Sequence, residues 1–158
     1  MEQKIPITRQ GLEKIKAELK VLMSVQRPQV QKAIATAREH GDLRENAEYH
    51  AAKEQQGFIE GRIQEIAAKM PRFHVVDPSR TASSTIAFGA TVTIQNTETD
   101  EEMVYQIVGP DEADLQQRKI SYLSPIAKAL IGKEEGDVVK VAIPRGQIEV
   151  EITKVNFV

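Results

Sequence analysis

The chain contains neither cysteine nor tryptophan, and aromatic residues make up only 4% of its 158 positions. Without thiols there is no disulfide framework, no thiol nucleophile and no cysteine-type zinc site. No run of about 18 apolar residues occurs, so no membrane-spanning helix is expected. The opening MEQKIPITRQ mixes charge with polarity where a secretory leader would carry an apolar stretch. Charge of one sign is also missing: 21 Lys+Arg stand against 23 Asp+Glu, a formal net charge of -2, which implies no bulk attraction to nucleic acid. What the chain does have is 41% apolar residues, enough for a folded core and too many for a wholly disordered segment. A soluble, cytoplasmic protein is the expectation.

The small net charge hides an asymmetry. Residues 1–76 hold 13 Lys+Arg and 10 Asp+Glu, whereas residues 77–158 hold 8 and 13. Texture changes at the same place, from Glu, Lys, Gln, Ala and Leu to Val, Ile and Thr broken by Gly and Pro. Two domains are expected, 1–76 and 77–158.

Between Leu12 and Met70 one proline, Pro28, interrupts a composition of strong helix formers. Thr8 is placed to cap a helix start. Leu12, Ile15, Leu19 and Leu22 recur at threes and fours, and Val30, Ala33, Ile34 and Ala37 resume the stripe after Pro28, where a kink or slight bend is expected. His40-Gly41 marks a stop. A second stripe runs through Ala52, Gln56, Ile59, Ile63, Ile66 and Met70 until Pro71 closes it. Two such helices joined by so short a turn fold back antiparallel, giving an arm on the order of 40 Å long at 1.5 Å per residue. Its base carries large side chains, while toward the turn Ala33, Ala37, Ala47, Ala51 and Ala52 suggest a slender end. Gly57 and Gly61 share one face of the second helix and suggest close backbone approach near Pro28.

The turn reads Gly41-Asp42-Leu43-Arg44-Glu45-Asn46-Ala47-Glu48-Tyr49. Asp42 and Glu45 have capping-box spacing, with Asp42 accepting backbone donors and Glu45 reaching back. The same two carboxylates, exposed at the end of an arm, are also oxygen ligands suited to a hard cation such as Mg²⁺. Two are too few to hold it tightly alone, but they suffice to complete a site owned mainly by a partner. Both readings stand at this point. A self-contained site of His40, His50 and Asp42 is disfavoured, because it needs convergent ligands and histidine suits softer metals. Lys32, Arg38, Arg44, Lys53 and Arg62 are candidates to meet phosphates or simply the arm's solvated face. Tyr49 either stacks on a base or packs on Leu43. His74 reads as a linker residue or a domain contact.

In the second half, Thr91–Gln95 and Met103–Val108 alternate as strands around a polar turn, and Val138–Ile143 and Ile148–Val155 form another pair. Pro125–Ile131 is a short helix capped by Ser124. An antiparallel sheet with one helix, an α+β unit, is expected.

Arg38 through Tyr49, followed by Ala52-Lys53-Glu54-Gln55-Gln56, resembles the signature of the GreA/GreB family of bacterial transcript cleavage (transcription elongation) factors. The similarity continues in Phe88-Gly89-Ala90-Thr91-Val92, Asp111-Glu112-Ala113-Asp114, and Ser124-Pro125-Ile126-Ala127 leading to Leu130-Ile131-Gly132-Lys133, so it covers nearly the whole chain. The resemblance implies an N-terminal all-α antiparallel coiled-coil hairpin that enters the secondary channel of a backtracked RNA polymerase. It implies that Asp42 and Glu45 help bind a catalytic Mg²⁺ shared in the polymerase active site and activate the water that cuts the RNA 3′ end. Leu43, Arg44, Asn46 and Tyr49 would support that tip, and Arg38 and Lys53 best match a basic patch touching RNA. The sparse basic residues of 51–56 lie nearer the less basic branch of the family. The C-terminal domain is implied to be FKBP-like and to dock on RNA polymerase core rather than isomerise prolines, with Ser124, Pro125 and Ile126 as the place to look.

On this reading the chain is not itself an enzyme, has no cofactor of its own, is a monomer when free, and stimulates metal-assisted phosphodiester hydrolysis. Such hydrolysis uses two metal ions about 4 Å apart. Rival expectations are a channel-binding inhibitor without cleavage activity, which an altered tip would favour; a coiled-coil interaction protein or chaperone, which would expose apolar residues near the arm's end; and a prolyl isomerase.

Overall fold

A computed structural model describes residues 3–42 and 44–158. The chain divides into two units: one holds Gln3 with Glu13–Phe73, the other Lys4–Leu12 with His74–Val158. The start of the chain therefore belongs with the sheet unit. Strand β1 (Ile5–Ile7) pairs with β2 (Phe73–Val75), and Val76 N–H donates to the Ile7 carbonyl at 2.8 Å. Neither strand is anticipated from sequence, because three residues are too few to show an alternation.

The hairpin's first limb is α1 (Arg9–Val21), a π-helical turn at Leu22–Gln26, and α2 (Arg27–Arg38). Thr8 starts it as expected, its Oγ1 accepting from Gly11 N–H at 3.0 Å. The expected bend at Pro28 takes the form of the π turn. Proline has no N–H to donate, and in a regular α-helix its ring meets the carbonyl four residues back, that of Ser24. Widening the preceding turn removes the conflict, and Arg27 N–H donates to Leu22, five residues back. Ser24 Oγ donates to the Lys20 carbonyl, a local bond that satisfies part of the disturbed ladder.

The limb ends at Arg38. Gly41 adopts φ +107°, a left-handed conformation that costs glycine little. Helix α3 (Ala47–Lys69) runs back, and a 3₁₀ turn at Met70–Arg72 containing Pro71 closes it. Ile15, Leu22, Val30, Ile34 and Ala37 are buried on the first limb, as are Ala52, Ile59, Ile63 and Ile66 on α3.

Two details differ from the sequence reading. Ala33, Ala47 and Ala51 are exposed, so the slender end is sealed by Ala37 and Ala52 alone among the alanines; at 100° per residue, Ile34 takes the seam and turns Ala33 aside. A Cβ at Gly57 or Gly61 would meet nothing within 4 Å. Close backbone approach therefore does not account for these glycines, and nothing in the structure does.

The sheet unit is built on β3 (Thr91–Asn96), β4 (Glu102–Val108), β5 (Lys119–Ser121), β6 (Val138–Ile143) and β7 (Gly146–Asn156) in the order β5-β4-β3-β7-β6. All pairs are antiparallel except β4 with the unanticipated β5. A register shift between Thr93 and Ile94 marks a bulge against β7. Helix α4 (Pro125–Leu130) packs against β6. The period-2 alternation of β3 buries Val92 and Ile94, which join Ile86, Ile107, Leu130, Val150 and Ile152 in one core.

Glu112 is the one charged side chain buried among the described residues, 4% exposed. Its Oε1 accepts from Thr8 N–H at 3.1 Å and from the Thr8 hydroxyl, and its Oε2 accepts from Gly109 N–H at 3.0 Å. A carboxylate at the first turn of α1 also meets the positive end of the helix dipole. No helix among the described residues is long and apolar enough to cross a membrane.

Candidate functional site at the turn of the hairpin

The turn between α2 and α3 is held closed by Asn46. Its Oδ1 accepts from Tyr49 N–H at 3.1 Å, capping α3, and its Nδ2 donates to the Ala37 carbonyl at 2.6 Å, tying the end of one helix to the start of the next. The capping-box reading of Asp42 and Glu45 is thereby corrected. Asn is as good a cap as Asp, and here it stands directly before the helix, so the acidic pair is not needed for that purpose. Asp42 is exposed, with Oδ1 accepting from Arg44 N–H at 2.9 Å within the loop. Glu45 is exposed and makes no hydrogen bond or ion pair among the described residues. Leu43 lies outside the described residues, so its expected support of the tip and its packing with Tyr49 do so too.

The remaining tip residues fall into place around the loop. Arg38 Cζ stands 5.9 Å from the centroid of the Tyr49 ring, within cation–π range. Tyr49 is half-buried and meets His50 edge-on at 5.6 Å. His50 Nε2–H donates to the Arg44 carbonyl at 3.0 Å, and His40 Nε2 lies 3.7 Å from Glu48. Among the described residues no three His, Asp or Glu side chains converge as metal ligands, so His40, His50 and Asp42 do not make such a site. What the turn offers is two exposed carboxylates, oxygen ligands of the kind a hard cation takes, one of them without any internal partner among the described residues.

The basic candidates separate. Lys32, Arg38, Arg44 and Lys53 are exposed, Lys53 Nζ donating to Gln56 Oε1 at 3.1 Å. Arg62 is not a solvated phosphate ligand: it forks onto Glu18 across the hairpin, with Nε–Oε1 at 2.6 Å and Nη2–Oε2 at 3.0 Å. Arg27 does the same to Glu60 at 2.7 and 2.8 Å. The hydrogen bonds from these arginines hold both glutamates below their ordinary carboxylate range. The arm's exposed large apolar residues, Val21, Met23, Val25 and Phe58, lie along its shaft and not at the described part of the turn.

On the sheet unit, Ser124 caps α4, its Oγ accepting from Ala127 N–H at 3.3 Å. Pro125 is exposed, and Ile126 is half-buried beside a cleft of about 350 Å³ lined also by Ile94, Met103, Tyr105 and Val141.

A helical hairpin with a carboxylate-bearing turn, joined to an antiparallel-rich sheet unit, defines a two-domain class, and comparison with known proteins places this chain within it. The family model described as "Transcription elongation factor, N-terminal" matches residues 5–75, and that described as "Transcription elongation factor, GreA/GreB, C-term" matches residues 81–157. A protein named transcription elongation factor GreA from Hyphomonas neptunium is 57% identical over 98% of this chain and 99% of its own length. Its namesake from Haemophilus influenzae is 54% identical over 99% of both chains. The solved structure of GreA factor homolog 1 from Thermus thermophilus covers 98% of this chain and 99% of that one at 25% identity, with a TM-score of 0.45. The chain belongs to the GreA/GreB family of transcription elongation factors.

Proposed function

We propose that the chain relieves backtracked RNA polymerase by placing its hairpin in the secondary channel and stimulating the polymerase's own cleavage of the RNA 3′ end. It is not itself the hydrolase. The observation that carries this reading is the release of Asp42 and Glu45 from helix capping: Asn46 does the capping, and both carboxylates face solvent at the turn. Asp42 and Glu45 present oxygens to a Mg²⁺ shared with the polymerase and orient a water beside it. Bound there, the ion supplies activation of that water and stabilisation of the leaving oxygen. Asn46 holds the loop that carries both acids, and Arg38 stands on Tyr49 in a position to meet an RNA phosphate, with Lys53 one turn further along α3. The sheet unit docks on polymerase core, with the exposed Pro125 and the Ile126 cleft as the surface that supports this assignment.

The test is addition of the protein to stalled, backtracked elongation complexes with Mg²⁺. RNA shortening that disappears with Asp42→Asn and Glu45→Gln, while polymerase binding persists, is the expected result. Equal shortening by both variants overturns the tip role. Neutralising Arg38 and Lys53 together weakens crosslinking to the RNA 3′ end, and unchanged crosslinking removes that assignment.

A further inference from the structure

We infer that Arg27–Glu60 and Glu18–Arg62 are positioning residues that pin the π turn at Leu22–Gln26 and so fix where the turn's carboxylates stand. The inference rests on the reading of Asp42 and Glu45 given above. Glu60 and Arg62 are two residues apart on α3, which at 100° per residue puts them about 200° apart. Ile59 and Ile63 form the seam between them, so one ion pair lies on each flank of the contact. On the first limb the partners Glu18 and Arg27 bracket the π turn, one before it and one after. Both pairs are forked, with two short N–H···O bonds each, the geometry that adds direction as well as attraction. Their side chains are 28–40% exposed, and ion pairs so open to water contribute little to stability. Stability is thus a weak reason for two matched forks astride one irregular turn.

Phase is a stronger one. A π turn holds one residue more than the α turn it replaces. If it relaxed to regular α-helix, everything beyond it would rotate by about 100° and move about 1.5 Å along the axis. Pro28 is the reason a π turn exists here, but Pro28 alone does not fix the axial register of α2 against α3. The two forks do, because each accepts one spacing between the limbs. In bond-making chemistry, displacement of a group by about 1 Å can cost on the order of 100-fold in rate. A slip in the shaft is therefore felt at Asp42 and Glu45, far along the same helix pair.

The absence of cysteine allows a direct test. Gln31→Cys and Gln55→Cys, on exposed positions of α2 and α3, carry spin labels whose distance distribution is measured in the whole protein. Arg27→Glu or Arg62→Glu alone is expected to shift or broaden that distribution, and Arg27→Gln to do so less. The exchanges Arg27→Glu with Glu60→Arg, and Arg62→Glu with Glu18→Arg, are expected to restore it. In backtracked complexes the single reversals lower the cleavage rate at saturating protein about tenfold, the concentration for half-effect changing little, and the exchanges recover it. An unchanged distribution in both single reversals overturns the inference. So does a changed distribution with full saturating cleavage, provided that Asp42→Asn has lost cleavage in parallel. Should Asp42→Asn cleave like the unaltered protein, the reading of the tip falls and with it the link to cleavage, while the label distances still decide the claim about register.

Discussion

The sheet unit and the hairpin solve the same problem of burial in opposite ways. In the sheet unit Val92, Ile94, Ile107, Leu130, Val150 and Ile152 are closed on all sides, so its stability comes from volume filled. The hairpin has only a seam, one stripe from each limb, and toward the turn that stripe thins to Ala37 and Ala52. What it lacks in enclosed core it replaces with direction: a capped turn, two forked ion pairs and an irregular helical turn held between them. The difference teaches that a helix pair with a thin seam must draw on polar geometry where a closed sheet core draws on volume.

The contrast is broken most directly by comparing truncations of similar size in the two regions. Leu130→Ala empties a closed core and is expected to cost about 3–5 kcal/mol, whereas Ile34→Ala, beside solvent, costs about 2. Urea unfolding followed in both variants checks this, and equal losses would erase the distinction.

Next in size come the carboxylates. Asp42→Asn or Glu45→Gln is expected to remove most cleavage of backtracked complexes while changing stability by less than about 0.5 kcal/mol, a split that rate assays and thermal melts of the same samples reveal. Asn46 lies between the two regimes. Asn46→Ala removes both of its bonds and costs about 1–2 kcal/mol. Asn46→Asp keeps the cap but turns an acceptor-only carboxylate oxygen toward the Ala37 carbonyl in place of the donor, a loss of about 1–3 kcal/mol, read as helicity and melting midpoint.

The smallest effect is in pH. The bond from Arg62 depresses the pKa of Glu18 in the fold, so the pair's contribution is present above the ordinary value near 4.5 and is lost as pH falls through the lower, folded value. With Glu18 exposed by 40%, a few tenths of a kcal/mol is the scale. The melting midpoint of Arg62→Gln should accordingly fall less steeply between pH 5 and about 3 than that of the unaltered chain.

Much of this architecture is legible in the residues themselves. Spacings of three and four gave both limbs of the hairpin, since Ile15, Leu22, Ile59, Ile63 and Ile66 occupy the seam they predict. Alternation gave β3, β4, β6 and β7 nearly to the residue. The short strands β1, β2 and β5 escaped because three residues carry no period, and their pairing is decided by partners far away in sequence. The tip was legible as a place but not as a geometry. Asp42-x-x-Glu45 has the spacing of a cap, and only the backbone shows that the helix starts four residues later than that cap implies, after Asn46. Arg62 looked like any charge on a wet face because its partner Glu18 is 44 positions away. The π turn had a single visible cause, Pro28, but a proline in a helix announces a disturbance without saying what form it takes.

The Glu112 carboxylate has one further implication. A Cβ at residue 11 would run straight into its Oε1, so positions 11 and 112, a hundred residues apart, amount to a single choice. Relatives that keep a glutamate at the second should favour glycine at the first, and those that gain a methyl group there must move, shorten or surrender the acid. The two columns of an alignment ought to vary as a pair, which makes this contact detectable by statistics alone.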